Sequence, residues 1–482
     1  MAGIAGVATG GQESQVGDAL HTIAHRGRAG KTVQSGSRVT LGEVWPRAQA
    51  RYAQDASLHP VVLDAEIHNW AELATGAASP REAVQAYYRG RGPAFVAELD
   101  GPFALAMGTS EGVFLARDVV GKSPLYWGRR GEAVCFCSEI KGLLGWATDI
   151  AEFPPGHYYQ PGSGVVCFAT VAEQPPIDLS PEAVAAELKA RLVKSVRKRV
   201  GGGEVGVWLS GGVDSATMAA LARRQTSKLD TFVVGLPGAP DLKYARMVAD
   251  HIGSRHHERV CSADELPTML QEVIYHLESF DALLVRSSLP NYLAGRIASD
   301  HVSAVLSGEG GDELFAGYHY LKELSPDQIP EELIDITNRL HNTALQRVDR
   351  CSASHGLVAR TGFLDRDVVD FALRIPAHMK VSDNGEKTGK WILRKAMAGL
   401  LPDEVLWRRK AKFWEGSGVG DLLAGYAEQT ISDSEFAAER VVSDAVPLRT
   451  KEELLYYRIF KAHFGDSVDP ALVGRTKGAP VA

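Results

Sequence analysis

Residues 205–215 read Val205-Gly206-Val207-Trp208-Leu209-Ser210-Gly211-Gly212-Val213-Asp214-Ser215. The first five are apolar or small, which is typical of a buried strand, and the paired glycines then allow a tight turn. Residues 215–224 have the pattern of a helix. A strand, a glycine turn and a helix in this order aim backbone N–H groups and the positive end of the helix dipole at one point. The stretch therefore predicts an anion site, and phosphate is the favoured anion.

The polar side chains of this loop narrow its chemistry. Ser210 and Ser215 carry hydroxyls that can donate hydrogen bonds to a phosphate, and Asp214 is placed to bind Mg²⁺ carried by the same phosphates. The alternative is a glycine turn in which Asp214 or Ser215 only caps the helix. The loop differs from a Walker A loop because it lacks the pattern G-x-x-x-x-G-K-[ST].

The chain has different patterns on the two sides of residue 172. Before it, short β-type runs broken by glycine, proline and aspartate predict a strand-dominated domain. A proline-rich linker follows at 173–181, in which Ser180 is a predicted helix N-cap, and a helical pattern fills 182–199. Strands and helices then alternate, which predicts a parallel sheet covered on both faces. We predict two domains, 1–172 and 173–482, with a loose segment after Asp466.

Composition excludes several classes of partner. The 482 residues include 52 Lys and Arg against 59 Asp and Glu, a net charge of -7, which argues against nucleic acid or an anionic membrane surface. The five cysteines are scattered without metal-type spacing, which favours a reducing compartment. No signal peptide or membrane span is recognisable, so a cytoplasmic location is predicted.

The loop and four later motifs together resemble the asparagine synthetase family. The matching stretches, in chain order, are 210–215, 234–243, 306–313, 363–366 and 406–410. The resemblance extends over nearly the whole chain, including the first domain. It implies an α/β protein, in which an Ntn-hydrolase-like αββα sandwich is followed by a parallel-sheet domain of the N-type ATP pyrophosphatases.

The resemblance also implies a reaction and a set of residues. ATP and Mg²⁺ would activate a carboxylate as an acyl-adenylate with release of pyrophosphate, and an amine would then displace AMP. The matching ATP and pyrophosphate positions are Leu209, Ser210, Gly211, Gly212, Asp214, Ser215, Val234, Ser307, Gly308, Lys387, Lys390 and Arg394. Asp214 and Asp312 match the Mg²⁺ ligands, while Glu309, Lys410 and Arg286 match catalytic positions, and Leu283, Arg286 and Val358 match the substrate pocket.

Glu309 distinguishes two branches of this resemblance. The matching glutamate of asparagine synthetases assists formation and aminolysis of the acyl-adenylate, whereas β-lactam synthetases have a tyrosine in that place. A carboxylate can orient or deprotonate an incoming ammonium. Glu309 therefore favours an intermolecular amine over ring closure.

The first domain departs from the glutaminase that it resembles. Family glutaminases use an N-terminal cysteine as nucleophile, whereas residue 2 here is Ala2, whose methyl group cannot attack. Asp64-Ala65 stands where the family has Asn-Gly, and Pro80 falls where an aspartate would hold the substrate amine. Hydrolysis of glutamine is therefore predicted to be absent.

The acceptor pocket departs as well. Arg286 keeps the geometry for a bidentate carboxylate contact, but Leu283 and Leu284 replace threonines and Val358 replaces a glutamate. These replacements change what the pocket can hold, so the sequence does not predict which acid is the substrate, or whether L-aspartate is accepted.

The predicted function is amide formation from a small-molecule carboxylate and either ammonia or an amine or hydrazine. A role in specialised metabolism such as antibiotic biosynthesis, and a homodimeric assembly, are further hypotheses. An intramolecular cyclase of the β-lactam synthetase type and a regulatory pseudoenzyme are the alternatives.

Overall fold

Two antiparallel sheets occupy the first part of the chain in the computed structural model, which describes residues 2–46, 60–201, 204–383, 387–409, 416–442 and 446–477. Their strands are β1 (Gly3–Val7), β2 (Gly30–Ser35), β3 (Thr40–Trp45), β4 (Val61–Ala65), β5 (Phe103–Thr109), β6 (Gly112–Arg117), β7 (Tyr126–Arg130), β8 (Ala133–Cys137), β9 (Thr148–Glu152), β10 (His157–Gln160) and β11 (Gly164–Cys167). The strand orders are β2-β3-β1-β8-β7-β9 and β11-β10-β6-β5-β4.

Side-chain alternation along these strands places the two sheets face to face with helices outside. Leu41 of β3 and Leu115 of β6 are fully buried in the layer between the sheets. Gly42, the next residue of β3, faces the other way and lies against helix α1 (Glu13–Thr22). Helices α2 (Trp70–Leu73) and α3 (Pro80–Arg91) cover the second sheet, where Val84 is buried. This helix–sheet–sheet–helix order confirms the predicted αββα sandwich.

Strands and helices alternate after residue 172. The elements are α4 (Pro181–Val200), β12 (Val205–Trp208), α5 (Val213–Arg223), β13 (Asp230–Gly235), α6 (Pro240–Ile252), β14 (Arg255–Val260), α7 (Glu265–Thr268), α8 (Leu270–Leu277), α9 (Ala282–Ala298), β15 (Ala304–Ser307), α10 (Gly311–Phe315), α11 (Ile329–Asn338), α12 (Ala344–Ala353), β16 (Val358–Thr361), α13 (Arg366–Leu373), α14 (Ala377–Lys380), β17 (Val381–Asp383), β18 (Lys387–Gly389), α15 (Trp391–Met397), α16 (Asp403–Leu406), α17 (Gly420–Thr430), α18 (Asp433–Glu439) and α19 (Lys451–Phe464).

The loop-bearing strand β12 is the central strand of a parallel sheet. The strand order is β14-β13-β12-β15-β16, and β12 pairs in parallel with both β13 and β15. All four residues of β12 are buried, as expected for a strand covered on both faces. Because parallel strands end at the same edge, the segments after β12, β13 and β15 meet there. The sheet confirms the predicted ATP pyrophosphatase type of domain.

The described residues group into two units. One contains the residues up to Val171 together with Ala353–Val358 and Phe464–Leu472, and the other contains Ala172–Ser352, Ala359–His463 and the residues from Val473 onward. None of the helices that the structure describes combines the length and the apolar character that a membrane span requires.

Asp365 connects α4 to α13 within the second unit. Its carboxylate is buried and accepts hydrogen bonds from Arg199 Nη1 at 2.8 Å and Lys198 Nζ at 3.0 Å. It also caps α13, because it accepts a bond from the N–H of Asp367 at 3.2 Å. Burial opposes the charge of Asp365, but the two cations outweigh burial and hold its pKa well below the usual range.

Asp365→Asn is expected to lower the free energy of unfolding at pH 7 by about 3 kcal/mol, because Arg199 would remain buried without its carboxylate. The wild type should lose this contribution as the pH falls below about 4, since a depressed pKa stabilises only the ionised form. The stability of the variant should fall less than that of the wild type over the same pH range, because asparagine does not titrate. Urea titrations at pH 7 and pH 3.5 measure both effects.

Asp367→Asn is the matched control. Asp367 pairs with Lys194 at 2.8 Å, but both side chains are about half exposed. This change is expected to alter stability by less than about 0.5 kcal/mol. Equal losses in the two variants would contradict the buried ion pair.

Candidate active site

A cavity of about 590 Å³ lies at the carboxyl edge of the parallel sheet. Leu209 and Ser210 reach it from the end of β12, Val234 from β13, and Ser307 and Gly308 from the end of β15. Open parallel sheets bind ligands at this edge, and the volume is that of a small-molecule site. The sheet thus brings together residues that the sequence separates by about a hundred positions.

The glycine loop is held in its shape by its own serines and by close packing. The Ser210 and Ser215 hydroxyls lie 3.1 Å apart, and the Ser210 N–H donates to Ser215 Oγ at 3.2 Å. Gly211 has φ of +70°, and a Cβ there would lie 2.4 Å from Tyr244 Cβ and 2.6 Å from the backbone nitrogen of Ala245. Glycine is therefore required at position 211 on both conformational and steric grounds.

Gly211→Ala is expected to lower the free energy of unfolding by about 3 kcal/mol and to weaken nucleotide binding at the same time, because the loop must move away from α6. Gly238→Ala is the matched control. Gly238 also has positive φ, at +79°, but nothing lies within 4 Å of the place that a Cβ would take. Gly238→Ala should lower the free energy of unfolding by only about 1 kcal/mol. Denaturant titrations and nucleotide titrations of both variants test the packing argument.

Two carboxylates and one lysine occupy the centre of the cavity. Asp214 lies in the first turn of α5 and Asp312 in that of α10, and the Lys390 ammonium contacts both, with 2.5 Å to Asp312 Oδ1. Lys390 is 3% exposed. Burial works against its charge, but the two carboxylates outweigh burial and raise the pKa of Lys390. A Cβ on Gly317 would lie 1.9 Å from Asp312 Oδ1, so the carboxylate is closely enclosed.

Lys390 and Lys387 belong to the same short hairpin but point to different places. Lys390 has φ of +58°, and this left-handed turn ends the hairpin and directs the side chain inward. Lys387 is exposed on β18 and donates to the carbonyl of Lys322 at 2.8 Å. The structure therefore brings Lys390, and not Lys387, to the cavity.

The donor set at the centre fits Mg²⁺. Within the described residues, no group of three or more His, Cys, Asp or Glu side chains is arranged to hold a metal. Mg²⁺ is commonly held by only one or two carboxylates together with the phosphates of a substrate. Asp214 and Asp312 already converge on one cation, the ammonium of Lys390, and present hard oxygen ligands.

Two arginines contact the backbone of the glycine loop and of the residue before Lys390. Arg394 is buried and donates through Nε to the Gly389 carbonyl at 3.1 Å, and burial lowers its pKa. Arg408 donates to the Ser210 carbonyl at 3.3 Å and to Asp241 Oδ1 at 2.7 Å. The sequence pattern did not single out Arg408, although it lies in one of the quoted motifs. Lys410, predicted to be catalytic, lies outside the described residues.

Glu309 and two leucines of α9 also line the cavity. Glu309 lines the cavity and forms an ion pair with Arg347, a residue of α12 that is 7% exposed. Leu283 and Leu284 of α9 form an apolar wall, as their positions in the sequence suggested. Arg347 has no motif that would have identified it from the sequence.

Arg286 and Val358 are not among the residues that line the cavity. The Arg286 guanidinium is bound by the carboxylate of Glu452, with Nε 2.8 Å from Oε1, and Tyr456 OH donates to the same carboxylate at 2.7 Å. Arg286 is thus occupied by a buried partner and is not among the residues that line the cavity. Val358 is the first residue of β16, and its side chain is fully buried in the hydrophobic core.

The first unit contains a buried ion network at its N-terminal strand. Arg26 donates to the Ala2 carbonyl at 2.9 Å, to Glu139 Oε1 at 2.8 Å and to Asp64 Oδ2 at 3.3 Å. Arg26, Asp64 and Glu139 are fully buried, and Lys141 Nζ lies 2.5 Å from Glu139 Oε2. Asp64, which stands where an asparagine was expected, is therefore a member of a structural ion cluster.

Comparison with known proteins gives matches along nearly the whole chain. The asparagine synthase profile matches residues 187–330 and 325–471, and the glutamine amidotransferase domain profile matches residues 1–159. The probable glutamine-hydrolysing asparagine synthetase of Schizosaccharomyces pombe is 35% identical over 92% of this chain and 90% of its own length. Glutamine-hydrolysing asparagine synthetase B of Escherichia coli is 33% identical over 89% of this chain and 82% of its own.

Proposed function

Because the chain belongs to the asparagine synthase family, we propose that it is an ATP-dependent ligase that joins a small carboxylic acid to ammonia or another amine. The observation that carries this proposal is the meeting of the glycine loop with Asp214, Asp312 and Lys390 at the carboxyl edge of the sheet. The products would be the amide, AMP and pyrophosphate.

Each step of this reaction has a group in the cavity. An oxygen of the acid attacks the α-phosphorus of ATP, and the bond to the β-phosphate oxygen breaks. The loop N–H groups, Lys390 and Arg394 hold the negative charge that builds on the leaving pyrophosphate. Mg²⁺, held by Asp214 and Asp312 when bound, would offset the same charge. Glu309 then orients the amine, whose nitrogen attacks the acyl carbon as the bond to AMP breaks, and receives its proton.

We propose that the nitrogen comes from free ammonia or an amine, without glutamine hydrolysis in the first unit. The described residues there support this interpretation. Ala2 has a methyl group at the position where glutamine hydrolysis needs a nucleophile. The Asp64 carboxylate forms a buried ion pair with Arg26. Pro80 is the first residue of α3 and has no side-chain acceptor for an amine.

Release of pyrophosphate tests both halves of the proposal. The wild type is incubated with ATP, Mg²⁺ and a panel of acids comprising L-aspartate, propionic to octanoic acid and malonic to suberic acid, with ammonium, hydrazine or glutamine. At least one acid is expected to support release with ammonium or hydrazine. Glutamine is expected to give less than about one hundredth of that rate, because Ala2 stands where the glutaminases of the family have their nucleophilic cysteine. Comparable rates with glutamine and ammonium would contradict the nitrogen assignment.

One feature of the cavity bears on which class of acid is the substrate. The apolar wall of Leu283 and Leu284 cannot donate hydrogen bonds to a second carboxylate, so an acid with an apolar body fits better than L-aspartate. Such an acid is consistent with a role in specialised metabolism. No release with any acid of the panel would favour a regulatory role over catalysis.

A further inference from the structure

The C-terminal segment 473–477 lies at the cavity, outside the residues matched by the family profile. Thr476 and Lys477 both line the cavity. The Thr476 N–H donates to Asp281 Oδ2 at 3.1 Å, and its hydroxyl donates to Asp281 Oδ1 at 2.8 Å. Asp281 is fully buried and also caps α9, since it accepts the N–H of Leu284 at 3.0 Å. Thr476 is therefore attached to the turn of helix that presents the apolar wall.

Lys477 is attached to a different helix. Its ammonium lies 3.0 Å from each oxygen of Glu332 and also pairs with Asp335, both of which are in α11. Arg339 pairs with Asp335 at 2.9 Å, so two cations balance two carboxylates. Tyr320, another cavity residue, donates to Glu332 at 2.7 Å. The segment consequently connects the start of α9 to α11 and contributes two residues to the cavity lining.

The rest of the segment is fixed by close contacts. Arg475 Nη2 donates to Glu453 at 2.6 Å, and Arg449 donates to the Thr476 carbonyl at 3.3 Å. A Cβ on Gly474 would lie 2.0 Å from the carbonyl oxygen of Asn342, so the backbone approaches that turn as closely as glycine allows. Because several hydrogen bonds and close contacts fix the conformation of the segment, its side chains can determine the shape of a binding site.

We propose that Thr476 and Lys477 are specificity-determining residues for the acid substrate, an inference that rests on the proposed function. The phosphate groups would lie at the glycine loop and Lys390, which leaves the space beside Leu283 and Leu284 for the body of the acid. Thr476 and Lys477 border that space and limit its length. The substrate class is a small carboxylic acid with an apolar body, whose far end reaches these two residues.

The test uses the acid of the panel that supports the fastest pyrophosphate release by the wild type. Thr476→Val, which removes the hydroxyl bonded to Asp281, and Lys477→Gln are each expected to raise KM for that acid about 3- to 10-fold, while KM for ATP changes less than about 2-fold. Lys477→Gln, whose side chain is shorter, should also shift the preference toward longer acids. Thr476→Ser keeps the hydroxyl and should behave as the wild type.

Lys451→Gln is the matched control. Lys451 also pairs with two carboxylates, Glu428 at 2.7 Å and Asp433 at 2.6 Å, but it lies on α19 and does not line the cavity. It should leave KM for the acid and the order of preference unchanged. Unchanged KM and preference in the Thr476 and Lys477 variants, with normal wild-type turnover, would overturn the inference alone. Absence of turnover by the wild type would overturn the proposed function and the inference with it.

Discussion

Lys390→Met is expected to reduce pyrophosphate release by roughly 10³-fold, whereas Lys387→Met should retain activity within about 3-fold. The Lys390 ammonium lies between Asp214 and Asp312 at the centre of the cavity, where charge on a leaving pyrophosphate would build. Lys387 belongs to the same hairpin but contacts the carbonyl of Lys322 at the surface. Initial rates at saturating ATP and acid compare the two variants directly. Similar losses in both would contradict the assignment of Lys390.

The same variant tests the proposed Mg²⁺ site without any turnover. Removal of the buried ammonium leaves two carboxylates facing each other, which should lower the free energy of unfolding by about 3 kcal/mol. Mg²⁺ is expected to restore more stability to Lys390→Met than to the wild type, because the ion can take the place of the missing cation. Thermal melting with and without MgCl₂ measures this difference. An equal effect of Mg²⁺ on both proteins would argue against binding at Asp214 and Asp312.

The sequence predicted those parts of the fold that depend on neighbouring residues. Paired glycines after an apolar run identified the loop at 210–215, and Ser180 was recognised as an N-cap because its bond to the Ala183 N–H spans only three residues. Strand β14 was missed because its residues, 255–260, are polar and it lies at the edge of the sheet, where side chains can face solvent.

Interactions between distant segments could not be predicted in the same way. Arg286 has a clear reason to bind a carboxylate, but its partner Glu452 is 166 residues away and nothing near Arg286 indicates it. The segment after Asp466 was predicted to be loose, whereas Thr476 is bound to Asp281 across 195 residues. Lys387 and Lys390 are both lysines of one short stretch, and the sequence does not show which of them enters the cavity. The structure shows that Lys390 is buried and has a positive φ, whereas Lys387 is exposed.

Glu309→Gln is expected to lower amide formation by about 10²-fold or more, while exchange of pyrophosphate into ATP falls by a smaller factor. The amide side chain keeps the size of glutamate but can neither attract an ammonium nor accept a proton. Glu323→Gln is the control, since Glu323 is another glutamate that lines the same cavity but is exposed to solvent. Amide yield and isotope exchange, measured on the same samples, separate the second step from the first.

Arg347 supplies a way to decide why Glu309 is needed. Because the two side chains form an ion pair and Arg347 is buried, Glu309→Gln also leaves a cation without its carboxylate. If Glu309 serves only to neutralise that cation, the double variant Glu309→Gln with Arg347→Met should recover most of the lost amide formation. We expect no recovery beyond about 3-fold, because the amine would still lack its carboxylate. Recovery to near the rate of Arg347→Met alone would assign Glu309 to structure and remove it from the reaction.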